Sequence, residues 1–284
     1  MSEIGSSNRI NRRFLTCLAF AASAIFLITS CRGHEDEGKG DYPTMADHDT
    51  KIEAETETTM TDFLPETEEG LSLQEIREME AGSLLTEGDM IDIDTDDLFQ
   101  SQSIPDRIFE WMKGNSFGEG CSTEREELRY LRVLHRGFDG EIHIGEIVCH
   151  KDIAPDLLDI FRRLYEEDYP IEKILLVDNY GGDDELSMED NNSSCFNFRP
   201  VAGTKRLSQH AYGRAIDINP LYNPYITSNG YTPENAGDYV DRSGENPYKI
   251  NEDDLCYQLF DERGFFWGGH WKNVKDYQHF QKEE

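Results

Sequence analysis

Aromatic residues and charge divide this chain at about residue 106, and the division limits what can fold. Of 31 Phe, Trp and Tyr residues, 25 follow residue 106, so most of the apolar area needed for a core lies in the C-terminal part. Residues 34–106 hold 23 Asp and Glu against Lys39, Lys51 and Arg77, with Tyr42, Phe63 and Phe99 as their aromatics. A segment of that composition, lacking sustained apolar periodicity, buries too little surface to offset its conformational entropy. Residues 32–103 are therefore expected to be a disordered acidic tether, kept extended by like charge, with at most a transient helix between Leu71 and Leu85. Residues 104–284 are expected to form one globular domain of about 180 residues, large enough to bury a core. The whole chain carries a formal charge of −31. That excludes nucleic acid as the main partner and gives no electrostatic adhesion to anionic lipid.

At the N-terminus, Arg9, Arg12 and Arg13 precede an apolar run from Phe14 to Ile28. About fifteen residues is short for a membrane-spanning helix and suits a signal sequence. The run ends in Ile28-Thr29-Ser30-Cys31, which resembles a bacterial lipobox and would make residues 1–31 a lipoprotein signal peptide with Cys31 as the lipidated residue. An ordinary cleaved signal and an uncleaved anchor are the other readings. Each places the remainder outside the cytoplasm, and lipid on Cys31 would tether it to a bacterial membrane. Of the later cysteines, Cys121, Cys149, Cys195 and Cys256 permit three disulfide pairings, and buried thiols are equally open. No CxxC spacing suggests a cysteine metal site.

Within the C-terminal part, Glu126 to Leu134 reads as a helix and Gly137 to Gly140 as a turn. Glu141 to His150 reads as a strand. A helix follows with Pro155 in its first turn and Ile153, Leu157, Ile160, Phe161 and Leu164 on one stripe. Ile171 to Val177 is strand-like, Gly181 to Ser194 a polar loop whose Gly181 to Glu185 run, lacking EF-hand spacing for calcium, reads as a solvated part of a cleft rim, Leu207 to Ile218 strand-like and Asp253 to Arg263 a short helix. Turn and strand over 264–271 and 277–280 close the chain. This irregular alternation predicts an α+β fold with a small, mainly antiparallel sheet flanked by helices, and a monomer is expected.

Chemistry concentrates in Ser208-Gln209-His210-Ala211-Tyr212-Gly213-Arg214-Ala215-Ile216-Asp217. His210 and Asp217 have opposite strand parity, so both reach one point only if the chain bends, and Gly213 is the natural place. Asp217 lies between Ile216 and Ile218, where a carboxylate must be paired or bound to metal. Asp276-Tyr277-Gln278-His279-Phe280 supplies a further carboxylate and imidazole three apart. Three protein ligands with a nearby unligated carboxylate are what a hydrolytic zinc site needs. His270 competes as third ligand. For His135, His143 and His150, surface or core roles are favoured over metal binding. Trp267 and Trp271 could line a groove or pack in the core.

At these residues the chain resembles bacterial zinc peptidases that cut peptidoglycan stem peptides: VanY-type D-alanyl-D-alanine carboxypeptidases and L-alanyl-D-glutamate endopeptidases. The pattern Ser-x-His-x-x-Gly-x-Ala-x-Asp matches Ser208 through Asp217. The pattern Asp-x-x-His-Phe matches Asp276 through Phe280, with Gln281 where an acidic residue is usual. The likeness continues through Phe138-Asp139-Gly140, Tyr169-Pro170-Ile171, the Asn191 to Arg199 loop and Asn219 to Pro224. The resemblance implies a DD-peptidase/hedgehog-like fold with zinc (Zn2+) in a surface cleft. It makes His210, Asp217 and His279 the zinc ligands, Asp276 the general base and Arg199 a cation near the substrate carbonyl, where a carboxylate-paired arginine is the other reading. Ser208 would support the site by hydrogen bonding. The implied partner is a peptidoglycan stem peptide, cut at D-Ala-D-Ala or alternatively at L-Ala-D-Glu. A non-catalytic zinc-containing lipoprotein that binds wall peptides, and a general protein or dipeptide hydrolase, are the rival functions.

Overall fold

The structure is a computed structural model and describes residues 70–201 and 203–283. The expected signal peptide with Cys31, and residues 32–69 of the expected tether, lie outside the described residues.

The described chain opens with helix α1 (Leu73–Glu78), started by a capping box in which Ser72 and Glu75 exchange side-chain and backbone hydrogen bonds. Strands β1 (Leu84–Leu85) and β2 (Gln100–Gln102) follow, then helix α2 (Asp106–Met112). Strands β3 (Leu128–Arg136) and β4 (Ile142–His150) pair antiparallel along their whole length, from Leu128 opposite His150 to Arg136 opposite Ile142. The Gly137–Gly140 turn joins them as expected. The sheet order is β1-β4-β3-β2.

Two expectations fail here. Glu126 to Leu134 is not a helix; apart from a single 3-10 turn at Arg125–Glu127 it belongs to β3. Its Leu and Arg residues favour helix locally, but every residue from Tyr130 to Leu134, Arg132 included, is buried, a wider covered surface than one helical stripe presents. A strand with both faces covered accommodates such a run. Residues 70–103, expected as part of the tether, are instead built into the domain. Ile76, Leu85, Met90, Leu98 and Phe99 are buried in the main core. Arg132 donates to the Met79 carbonyl at 2.8 Å, Arg162 pairs with Asp96 and Arg136 with Glu87. The apolar residues of this segment are few and irregularly spaced because each docks on a different part of the sheet, so no local period announces them.

Helix α3 (Ala154–Glu166) has Pro155 in its first turn and buries the expected stripe against β3. The expected strand at 171–177 shrinks to β5 (Lys173–Ile174), parallel to β6 (Asn192–Ser193), and the expected loop between them contains helix α4 (Asp184–Glu189). Asp183 caps α4 by accepting from the Glu185 and Leu186 N–H groups. Strands β7 (Ala215–Asp217), β8 (Tyr225–Thr227) and β9 (Gly230–Thr232) precede helix α5 (Leu255–Glu262), the short helix expected there. Strands β10 (Phe266–Trp267), β11 (Lys275–Asp276) and β12 (His279–Gln281) complete two three-stranded antiparallel sheets, β10-β12-β7 and β11-β8-β9. The architecture is thus α+β with small, mainly antiparallel sheets. Asn219, after β7, is anchored across the fold: its Oδ1 accepts the Glu172 N–H at 3.1 Å and its Nδ2 donates to the Pro170 carbonyl at 2.9 Å.

Candidate metal centre

His210 and Asp217 do not share a strand. His210 sits on a 3-10 turn, Gln209–Tyr212, whose first turn is capped by Ser208 Oγ accepting the His210 N–H at 3.3 Å. Gly213 then reverses the chain at φ +64 and hands it to β7. A Cβ at Gly213 would lie 2.8 Å from the His150 nitrogen, and a positive φ disfavours any other residue there. Gly213→Ala is accordingly expected to cost about 2–4 kcal/mol, combining strain and overpacking. Thermal unfolding of the metal-free protein should register a fall of roughly 5–15 °C; an unchanged midpoint would refute the packing argument.

The register of β7 with β12 sets Asp217 opposite His279. On the same turn of chain, β11 pairs Asp276 with Tyr225. Gly268 permits the approach of this segment, since a Cβ there would fall 2.5 Å from the Asp276 carbonyl oxygen. Three side chains therefore converge from separate elements. His210 Nε2 lies 3.2 Å from His279 Nδ1 and 3.2 Å from Asp217 Oδ2, and His279 Nδ1 lies 3.0 Å from Asp217 Oδ1. All three residues are buried.

The outward nitrogen of each imidazole is already committed. His210 Nδ1–H donates to the Cys195 carbonyl at 2.6 Å, and His279 Nε2–H donates to Gln281 Oε1 at 3.1 Å. These partners leave His210 Nε2 and His279 Nδ1 as electron-pair donors beside a carboxylate. Three such groups in contact require a positive charge between them. Without metal, a proton serves. Burial opposes a charged imidazole, but the hydrogen bond and charge of Asp217 hold His279 up at about 9. Burial likewise opposes ionisation of Asp217, yet the charge and hydrogen bond of His210, with the hydrogen bond of His279, keep its carboxyl well below the ordinary range. A divalent cation with tetrahedral preference suits the same donors, two imidazole nitrogens and one carboxylate oxygen. The three donor atoms all lie within 4.8 Å of one another, so the group could hold a metal ion.

A cavity of about 630 Å³ opens on this cluster and is also lined by Asp276, Arg199, Asp184 and Trp271. Asp276 Oδ1 is shielded from solvent and has no hydrogen-bond partner among the described residues. Burial pushes the Asp276 carboxyl up to about 6; the nearby His279 charge opposes the rise and the Asp217 charge adds to it. Arg199 lines the cavity while its Nη2 lies 2.6 Å from Asp184 Oδ2, so it is at once cleft residue and carboxylate-paired. Asp184, from the 181–185 run expected at the cleft rim, lines the cavity, as does Met188 further along α4. Trp271 packs its ring on His279, with centroids 5.3 Å apart.

Other sequence candidates lie elsewhere. His270 pairs with Glu252 and packs on Trp267 and Tyr257, outside the cluster. Trp267 is buried in the core and donates to the Tyr277 carbonyl. His135 is buried, bonded to the Ile171 carbonyl and stacked on His143, and its burial lowers the ring to about 4. His150 faces Asp152. Cys121, Cys149, Cys195 and Cys256 are free thiols. Sequence reasoning missed the partners that orient the imidazoles. Gln281 was visible as a departure from the family pattern; the Cys195 carbonyl had no signal, since a backbone acceptor is independent of residue type.

The fold and cluster together define an α+β domain whose cleft can hold a cation beside a poised carboxylate. Residues 202–282 match the family model described as D-alanyl-D-alanine carboxypeptidase, a likeness that covers less than a third of the chain. The match includes His210, Asp217, Asp276 and His279; Arg199 precedes it. No curated protein and no solved structure matches the chain.

Proposed function

We propose that the protein is a zinc-dependent D-alanyl-D-alanine carboxypeptidase acting on peptidoglycan stem peptides outside the cytoplasm, tethered through lipid on Cys31, with the DD-peptidase/hedgehog-like form of the α+β fold. The observation that carries this reading is the His210–Asp217–His279 donor triangle with Asp276 in the same cavity. His210, Asp217 and His279 are assigned as the zinc ligands. When bound, zinc supplies a Lewis acid that polarises a carbonyl and makes water acidic enough to deprotonate near neutrality. Asp276 is the general base: it accepts the proton of the attacking water and returns it to the nitrogen of the departing amine. Its partly raised pKa suits both roles, because a carboxylate near 6 takes a proton more readily than one near 4. Arg199, which lines the cavity and pairs with Asp184, is assigned as the cation that stabilises negative charge on the scissile carbonyl oxygen. Gln281 and the Cys195 carbonyl keep the two imidazoles in the tautomers that point lone pairs inward.

The test is to incubate the zinc-loaded protein with an intact muropeptide pentapeptide and weigh the products. Loss of one alanine is expected. A cut beside the first L-alanine would make it the L-Ala-D-Glu endopeptidase of the same family, and no cut with zinc bound would leave a wall-peptide-binding lipoprotein.

Metal uptake should be pH-dependent with a defined sign. In the metal-free protein His279 is protonated below about 9, and ligation requires its neutral form. Binding at pH 7.5 therefore releases about one proton, and apparent affinity rises about tenfold per pH unit between roughly 7 and 9 before levelling. Calorimetric zinc titrations in buffers of different ionisation enthalpy count that proton; zero release would mean that His279 is already neutral in the metal-free protein.

A further inference from the structure

The cavity is lined by two guanidinium groups, and they differ in one respect. Arg199 is paired with Asp184 at 2.6 Å. Arg206 is exposed, lines the same cavity, and its side chain has no ion pair or hydrogen bond among the described residues. Its backbone is nonetheless fixed. Pro200 and Leu207 form an antiparallel bridge, the Val201 N–H donates to the Arg206 carbonyl at 2.8 Å, and the Ser208 N–H donates to the Arg199 carbonyl at 3.1 Å. Leu207 and Ser208 lead into the 3-10 turn bearing His210, so Arg206 stands four residues before a member of the donor triangle. The remaining acid of the lining, Glu283, is approached by Gln281 Nε2 at 3.4 Å.

An unpaired guanidinium at a cleft, beside a backbone held by hydrogen bonds, is a carboxylate receptor by chemistry: its planar fork matches two carboxylate oxygens. The chain also needs one. At a net charge of −31 the molecule repels anionic ligands, and a local cation is what admits a carboxylate to the cleft. We propose that Arg206 is the specificity-determining residue of this site and binds a free carboxylate on the peptide residue that supplies the leaving amine. The inference rests on the peptidase reading above. Two sources fit that chemistry: the terminal carboxylate of a D-Ala-D-Ala peptide, and the free α-carboxylate of a glutamate linked through its side chain after L-alanine. Both lie on the departing side of the scissile bond.

The experiment uses the full chain loaded with zinc, as wild type, Arg206→Gln and Arg206→Lys. Four substrates are compared: a D-Ala-D-Ala pentapeptide as acid and as C-terminal amide, and an L-alanyl-γ-D-glutamyl peptide with its isoglutamine counterpart. Wild type should prefer the acid of one pair by about 10- to 100-fold in kcat/KM. Arg206→Gln should erase that preference, and Arg206→Lys should restore part of it, having charge without the fork. The pair that responds identifies the source. A wild type indifferent to both carboxylates, or an acid preference that survives Arg206→Gln, overturns the proposal. If wild type cuts nothing, calorimetric binding of the same peptides separates the two ideas. Acids bound more tightly than amides, only with Arg206 present, would keep the carboxylate role while the peptidase reading falls; equal binding would overturn both.

Discussion

A fragment beginning at residue 104 is expected to aggregate or to unfold without a cooperative transition, whereas one beginning at residue 70 folds. The sheet explains why. Strands β1 and β2 are its two edges, and removing them strips hydrogen-bond partners from β4 and β3 along the lengths they cover. Unprotected edges of that kind pair with other chains. Ile76, Leu85, Met90, Leu98 and Phe99 leave the core at the same time. At about 1.5–3 kcal/mol for each buried side chain, their loss amounts to roughly 7–15 kcal/mol as an upper bound. That equals the whole stability of a typical domain. Size-exclusion chromatography and urea unfolding of the two fragments decide the matter. A monomeric 104–284 fragment with the midpoint of the longer one would return residues 70–103 to the tether.

The second large effect concerns turnover. Asp276→Asn is expected to retain zinc and to lose about 10²–10⁴ in kcat, since the amide keeps the shape of the side chain and cannot take a proton. His210→Ala should lose both zinc and activity, because it leaves two donors where three hold the ion. Metal content after dialysis, measured beside peptide hydrolysis, separates the two variants. Full activity in either would end the assignment of ligands and base. The contrast also tests the electrostatics of the cavity, since Asp276 Oδ1 is shielded from solvent and has no hydrogen-bond partner among the described residues.

How far the fold was legible depended on whether burial followed a local period. Helix α3 was plain, because Leu157, Ile160, Phe161 and Leu164 recur at helical spacing and Pro155 marks the first turn. Strand β4 was readable from its β-branched residues between turn signals. Strand β3 was not, since its residues are buried on both faces and carry strong helix propensity. Residues 70–103 were hidden for a different reason: their stabilising contacts are with distant strands, and charge dominates their composition. The site was more legible than the fold. His210, Asp217, Asp276 and His279 have side chains whose cost of burial demands a partner, and their spacing matched a known pattern. The supports were not. Asp184 against Arg199 and the Cys195 carbonyl beneath His210 are contacts across long stretches of chain.

By itself, then, the sequence determined which chemical groups are present, that a bend at Gly213 must separate His210 from Asp217, and that the apolar capacity lies mostly after residue 106. Tertiary structure decided the rest. The register of β7 against β12 brought Asp217 to 3.0 Å from His279 across 62 residues of chain, and the 3-10 turn swung His210 onto them. The same sheet packing placed residues of the 70–103 segment in the core. The physical reason is common to both. Side-chain chemistry is written locally, whereas the distance between two groups is set by hydrogen-bond register and burial among segments far apart in sequence.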